Sequence, residues 1–326
     1  MEGIIKMSNI NKKQLVILII IICSLFIPFI ITERYLLHLI NMSLIYVILA
    51  QGLNILQGYT GYISLAQAGF FGIGAYVSSL TMIHFDTPFF ISLILAIVCA
   101  ALIAFIIGIP IFKTTGHYFA IVTMALSTII WIVLMNWEPV TGGDAGITRI
   151  PYPDPILFIE FNNPINYYYL LLIFVLLTIF FINRLIKSKV GRAFISIREN
   201  EELTQSIGIS LMKYKLLAFI LSAALAGLSG SLFAHYVNYI NPAPFAIDKS
   251  LDIILAIIIG GSGTITGPII GAFLVTFLPE IMRVADEYRL VIYALLLILI
   301  TIYMPKGIVY LIRISFDRLS SIIKRK

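Results

Sequence analysis

Few side chains in this sequence could carry chemistry, and their spacing argues against catalysis. His38, His117, His235, Asp252 and Glu280 are the titratable groups that fall within apolar stretches, each near the end of one. No row of carboxylates crosses an apolar run, so proton-coupled transport lacks its usual hardware. A histidine at such an end reads as an interfacial donor rather than a proton relay. There is also no Walker-type phosphate loop, zinc-binding HExxH helix or nucleophile elbow. The chain is therefore expected to be no enzyme, with no catalytic residue, metal ligand or cofactor of its own.

The remaining candidates are polar or glycine-rich rather than reactive. Residues 54 to 76 read NILQGYTGYISLAQAGFFGIGAY. On a continuous helix Thr60, Ser64 and Gln67 would share one face, and Ser64, Ala68 and Gly72 would form a row of small residues. Such rows either let helices pack closely in lipid or wet a path for a hydrophilic solute. Thr60, Ser64 and Gln67 are the candidate path residues. A second cluster, GGSGTITGP at 260–268, holds Gly260, Gly261, Gly263, Gly267 and Pro268. That density cannot continue a regular span, so it predicts a broken helix and a hinge beside the path. A weak echo links GYTGYISLAQAG (58–69) to GGSGTITGPIIG (260–271).

The least lipid-like stretch is 184–215, RLIKSKVGRAFISIRENEELTQSIGISLMKYK, with seven basic and three acidic residues. Asn200 can cap a short helix that carries Glu201 and Glu202 in its first turn and stops at Gly208. Leu203 and Ile207 are four apart, and Phe194 and Ile197 three apart upstream, which predicts one or two short amphipathic helices outside the membrane. They could lie on lipid; the acids and the length favour a protein partner.

The elements that position these residues follow from composition. Hydrophobic residues are 60% of 326, charged residues 12%, and mean hydropathy is +1.03, far more apolar surface than a soluble core absorbs. Apolar runs of about 20 residues recur, long enough to cross lipid as helices. Strand-like alternation is absent, which excludes a barrel. The fold class is all-α: a polytopic integral membrane protein with about ten membrane-inserted segments. They lie at 14–32, 35–57, 61–83, 88–112, 117–137, 167–187 and 214–240, in a broken pair within 250–282, and at 289–305. The first is read as an uncleaved span, because no small-residue cleavage site follows it. No domain boundary interrupts 1–326.

Basic residues mark the cytoplasmic side. With the N-terminus inside, the acidic and proline-rich loop 138–166 falls outside, and 184–215 falls inside. The basic tail from Lys306 returns inside only if 250–282 enters and comes back as a hairpin. The net charge of +6 thus reflects topology, not a nucleic-acid partner. Cys23 and Cys99 read as small buried side chains.

Several stretches match a known family in order: LNILQGYTGYISLAQAGFFGIGAY, GHYFAIVTMALSTII, VTGGDAGITRIP, VGRAFISIRENEELTQSIGISLMKYKLLAFILSAALAGLSGSLFAHYV and IIIGGSGTITGPIIGAFLVTFLPE. Over roughly 40–310 the chain resembles LivM-type permeases, membrane subunits of branched-chain amino acid ABC importers. The resemblance implies a multi-pass protein of a prokaryotic cell membrane, with a paralogous LivH-type permease as partner. It also implies two ATP-binding cassette ATPase subunits and an extracytoplasmic solute-binding protein. Arg198, Glu199, Asn200, Glu201 and Gly208 would belong to the segment that docks on an ATPase. Where relatives commonly read GHAAFFGIGAY this chain reads AQAGFFGIGAY, with Gln67 at the histidine position. Urea and short amides therefore stay open as solutes beside leucine, isoleucine and valine. A secondary transporter or channel built on broken helices is the rival reading; the scarcity of embedded ionisable groups counts against it.

Overall fold

A computed structural model describes residues 23–31, 33–114, 116–155, 160–281 and 307–310. Among them, six helices are long and apolar enough to cross a membrane. These are α1 (Arg34–Leu53, continued by a π turn Asn54–Gly58), α2 (Gln67–Phe85), α3 (Phe89–Ile111), α4 (His117–Asn136), α5 (Pro164–Lys187) and, after two short helices, α8 (Leu211–Val237). The short ones are α6 (Lys189–Glu199) and α7 (Glu201–Ser206). The chain then forms α9 (Ile247–Gly260) and α10 (Thr266–Ile281). The protein is a helical membrane protein. Of the expected first segment, 14–32, only the part from Cys23 is described, as helix over 23–30; the expected 289–305 segment and both termini lie outside the described residues.

Helices α1, α2 and α8 form the packed centre, while α3, α4 and α5 turn broad apolar faces outward, among them Ile94, Leu102, Ile106, Ile121, Ile173 and Phe180. Lipid is the medium that suits such faces. Cys99 on α3 is accordingly only half-buried and Cys23 is exposed, so neither is the core side chain expected of it; both are free thiols.

The central helices meet backbone to backbone. A Cβ on Gly74 of α2 would fall on the Gly227 carbonyl of α8, and one on Gly230 would fall on the Phe71 carbonyl. Without a hydrophobic drive between helices in lipid, such close approach is what holds them together. Gly74→Val should therefore destabilise the protein by about 3 kcal/mol, the upper range for overpacking where no neighbour can yield. A thermal melt in detergent measures this, and an unshifted transition would contradict it.

At the end of α8, Ile147–Thr148 (β1) pairs antiparallel with Tyr239–Ile240 (β2), tying the 138–166 loop to the bundle. His235 departs from the interfacial reading. It is fully buried, with Nε2 2.8 Å from Ser78 Oγ and Nδ1 2.7 Å from the Pro151 carbonyl.

The expected third span, 61–83, needs correction. The chain leaves the helix after Thr60 and re-enters it at Gln67. Gly61 takes the left-handed region (φ 83°), which ends α1 cheaply only at glycine. Freed backbone groups at membrane depth need partners in the protein. Thr123 Oγ1 accepts from Leu65 N–H at 3.1 Å, and Ser250 Oγ donates to the Leu65 carbonyl at 2.8 Å. Ser64 Oγ accepts from Ala66 N–H at 3.3 Å. Thr60, Ser64 and Gln67 consequently do not share a helical face.

The broken pair forms as a hairpin. Gly260 packs on Gly267 and, one turn back in α9, Ala256 packs on Gly271, one turn on in α10. Contacts that step back in one helix and forward in the other mean antiparallel packing. With 14 and 16 residues, the two helices span about 21 and 24 Å, short of the hydrocarbon thickness. Pro268 falls in the first turn of α10, where its missing N–H costs nothing.

Candidate functional site: a junction of three broken segments

The two glycine clusters and the polar loop meet in one place. The hairpin tip, residues 261–265, lies on the π turn of α1. Asn54 makes a two-point clamp there, accepting from Gly263 N–H at 3.0 Å and donating to the Thr264 carbonyl at 2.9 Å. Gln51 Nε2 donates to the Ile265 carbonyl at 2.6 Å. A π turn disturbs the helical ladder and leaves a carbonyl free for an outside donor. At Gly58 that donor is the guanidinium of Arg198, in the last turn of α6. A Cβ on Gly263 would collide with the same Arg198 nitrogen, and one on Gly58 would lie 2.6 Å from Gly263 N. Glycine at both positions is what lets loop, π turn and hairpin tip touch.

A second anchor lies one helix further on. Asn200 caps α7 by accepting from Leu203 N–H at 3.0 Å, and Glu201 opens the helix. Glu201 accepts from the Tyr62 hydroxyl at 2.5 Å and pairs with Lys215 Nζ at 2.6 Å. The Lys215 ammonium also sits 4.6 Å from the Tyr62 ring centroid, and Tyr62 packs edge-on against Phe112 and Phe119. The Tyr62 hydroxyl thus serves as a donor to the Glu201 carboxylate. Lys215 is nearly inaccessible, which makes Glu201 its necessary counter-ion.

The outer face of α7 is different. Leu203 is 65% exposed and Ile207, the residue that caps the C-terminal end of this helix, is 70% exposed, while the helix's inner side is pinned. Phe194 and Ile197 of α6, by contrast, are buried. Gly208 ends the segment at φ 83° with open space around it. A cleft of about 360 Å³ separates the loop from the membrane helices, lined by Thr60, Gly61, His117, Arg198, Glu199 and Asn200.

Of the residues singled out in the sequence, Arg198, Glu201, Gly261 and Gly263 come together at or beside the junction, and Thr60 faces the cleft. Ser64 and Gln67 do not join them. Gln67 Nε2 donates to the Leu49 carbonyl at 3.0 Å, and Gln67 Oε1 accepts from Ser222 at 3.0 Å, holding α2 to α1 and α8. Sequence reading missed Gln51, Asn54, Tyr62 and Lys215. A signal existed for two of them: Gln51, Asn54 and Gln57 recur every three residues in an otherwise apolar span, where each amide must find a partner.

Known proteins share this chain's pattern. The family described as "Branched-chain amino acid transport system / permease component" matches residues 35–301. The chain is 32% identical over 325 residues to the high-affinity branched-chain amino acid transport system permease protein LivM of Salmonella typhimurium, covering 93% of this chain and 76% of the relative. For the Escherichia coli K12 protein of the same name the identity is 31%, with the same coverage. The LivH permease of Escherichia coli K12 is 24% identical over 294 residues, covering 82% of this chain and 92% of the relative. No solved structure matches the chain.

Proposed function

We propose, from the fact that this chain belongs to the branched-chain amino acid transport permease family, that it is the membrane-spanning subunit of an ABC importer for leucine, isoleucine and valine. It is a transport permease component, not an enzyme, and a multi-pass membrane protein. In this reading it sits in a prokaryotic cell membrane beside a LivH-type permease. Two separate ATP-binding subunits act from the cytoplasm, and an extracytoplasmic binding protein delivers the solute.

The observation that carries the coupling role is the two-faced loop α6–α7. Its outer side offers Leu203 and Ile207 to a partner, and its inner side holds the helix breaks through Arg198 and Glu201. Motion of a docked ATPase thus reaches the π turn and the hairpin directly. Glu199, Asn200 and Gly208 shape the loop; Gly260, Gly261, Gly263, Gly267 and Pro268 form the hinge; Thr60 stands at the mouth of the path. Gln67 is committed to its helix neighbours, so its presence in place of histidine does not argue for urea or short amides.

Reconstitution with and without the partner subunits tests this. Leucine uptake is expected only with ATP, both ATPase subunits and the binding protein. Urea uptake in place of leucine would reassign the solute, and uptake without ATPases would make the chain a secondary transporter.

A further inference from the structure

The contacts between the hairpin tip and the π turn have an unusual balance. Among the described residues, two backbone carbonyls and one N–H of the tip are held by the side chains of Asn54 and Gln51. Thr264 closes the tip on itself, donating to Gly261 and accepting from Gly267 N–H. The seat is also incompletely satisfied. Gln51 Oε1 is buried with no hydrogen-bond partner among the described residues. A half-satisfied buried network favours opening, because water can complete it only when the tip lifts. Arg198 joins the loop to this seat: its guanidinium bonds the Gly58 carbonyl and abuts Gly263, while its backbone belongs to the loop helix.

We propose that the hairpin tip is the gate at the loop end of the path, and that Asn54 and Arg198 form the latch that holds it on the π turn. Both are positioning residues. Arg198 is the member that the loop withdraws, and its withdrawal frees the tip to lift and exposes the orphan amide oxygen of Gln51. This rests on the importer reading for the source of the movement, but the latch itself stands on geometry alone.

The test uses a thiol at the tip. Ser262 is half-buried and none of the bonds above uses its side chain. Ser262→Cys is introduced with Cys23 and Cys99 changed to serine, in the full transporter in inverted membrane vesicles, and labelled with a membrane-impermeant maleimide. Asn54→Leu, nearly isosteric, and Arg198→Met, which keeps the length of the side chain, are each expected to raise the labelling rate about tenfold, as loss of one or two hydrogen bonds does to an opening equilibrium. ATP with loaded binding protein should speed labelling in the parent and add nothing in Arg198→Met. Labelling per folded molecule that stays at the parent rate in both variants overturns the latch, whether or not folded permease falls in amount. If ATP has no effect on the parent while both variants still label faster, the latch stands and the importer reading fails.

Discussion

Replacing both Leu203 and Ile207 by aspartate should lower ATP-driven uptake by about 100-fold or more while leaving the amount of folded permease unchanged, because the lost contact energy falls on a subunit interface and not on the fold. Each aliphatic side chain contributes about 1.5–3 kcal/mol when fully covered. With each 1.4 kcal/mol worth about tenfold in affinity, the pair is worth two to four decades of ATPase docking. A carboxylate at the centre of that contact adds a desolvation cost. Nothing equivalent is lost in the permease alone, since both side chains already face solvent. The measurement pairs uptake in proteoliposomes with stimulation of ATPase activity by the binding protein. Deleting 199–208 should give the same loss. Uptake and stimulation at the parental level in both would show that the ATPases engage another surface.

That loop was also the most legible part of the sequence. Asn200 caps, Glu201 and Glu202 fill the first turn and Gly208 stops the helix because each acts on backbone groups within a few residues. Local physics suffices there. The hairpin was legible for a related reason: the density of glycine and proline forbids a regular span whatever its neighbours do. The start of α2 was not legible. Whether 61–66 is helical depends on Thr123 and Ser250, distant residues that take up its carbonyl and amide groups, and on the π turn just before it. A helical wheel assumes the ladder continues, so it placed Thr60, Ser64 and Gln67 on a face that does not exist. The Tyr62–Glu201–Lys215 anchor joins three separate segments, and no spacing rule links them.

The largest structural effect is expected at Gly271, where α10 meets α9. A Cβ there would lie within the backbone carbonyl of Ala256, and its own helix fixes that carbonyl in place. Flexible side chains can move aside; a helical peptide group moves only with the whole helix. Gly271→Val should therefore open the hairpin, at a cost of about 3 kcal/mol or more. Little permease should accumulate in the membrane, and any that does should melt early in detergent. Gly208→Ala provides the contrast. Its φ of 83° makes any side chain strained, yet nothing lies within 4 Å, so the cost should be only about 1 kcal/mol and confined to the end of the loop. The pair separates two uses of glycine, conformational freedom and absence of volume. If Gly271→Val accumulates and melts like the parent, then α9 and α10 do not cross at these residues. In that case the tip could not be carried to Asn54, and the hairpin, the latch and the gate would all have to be abandoned.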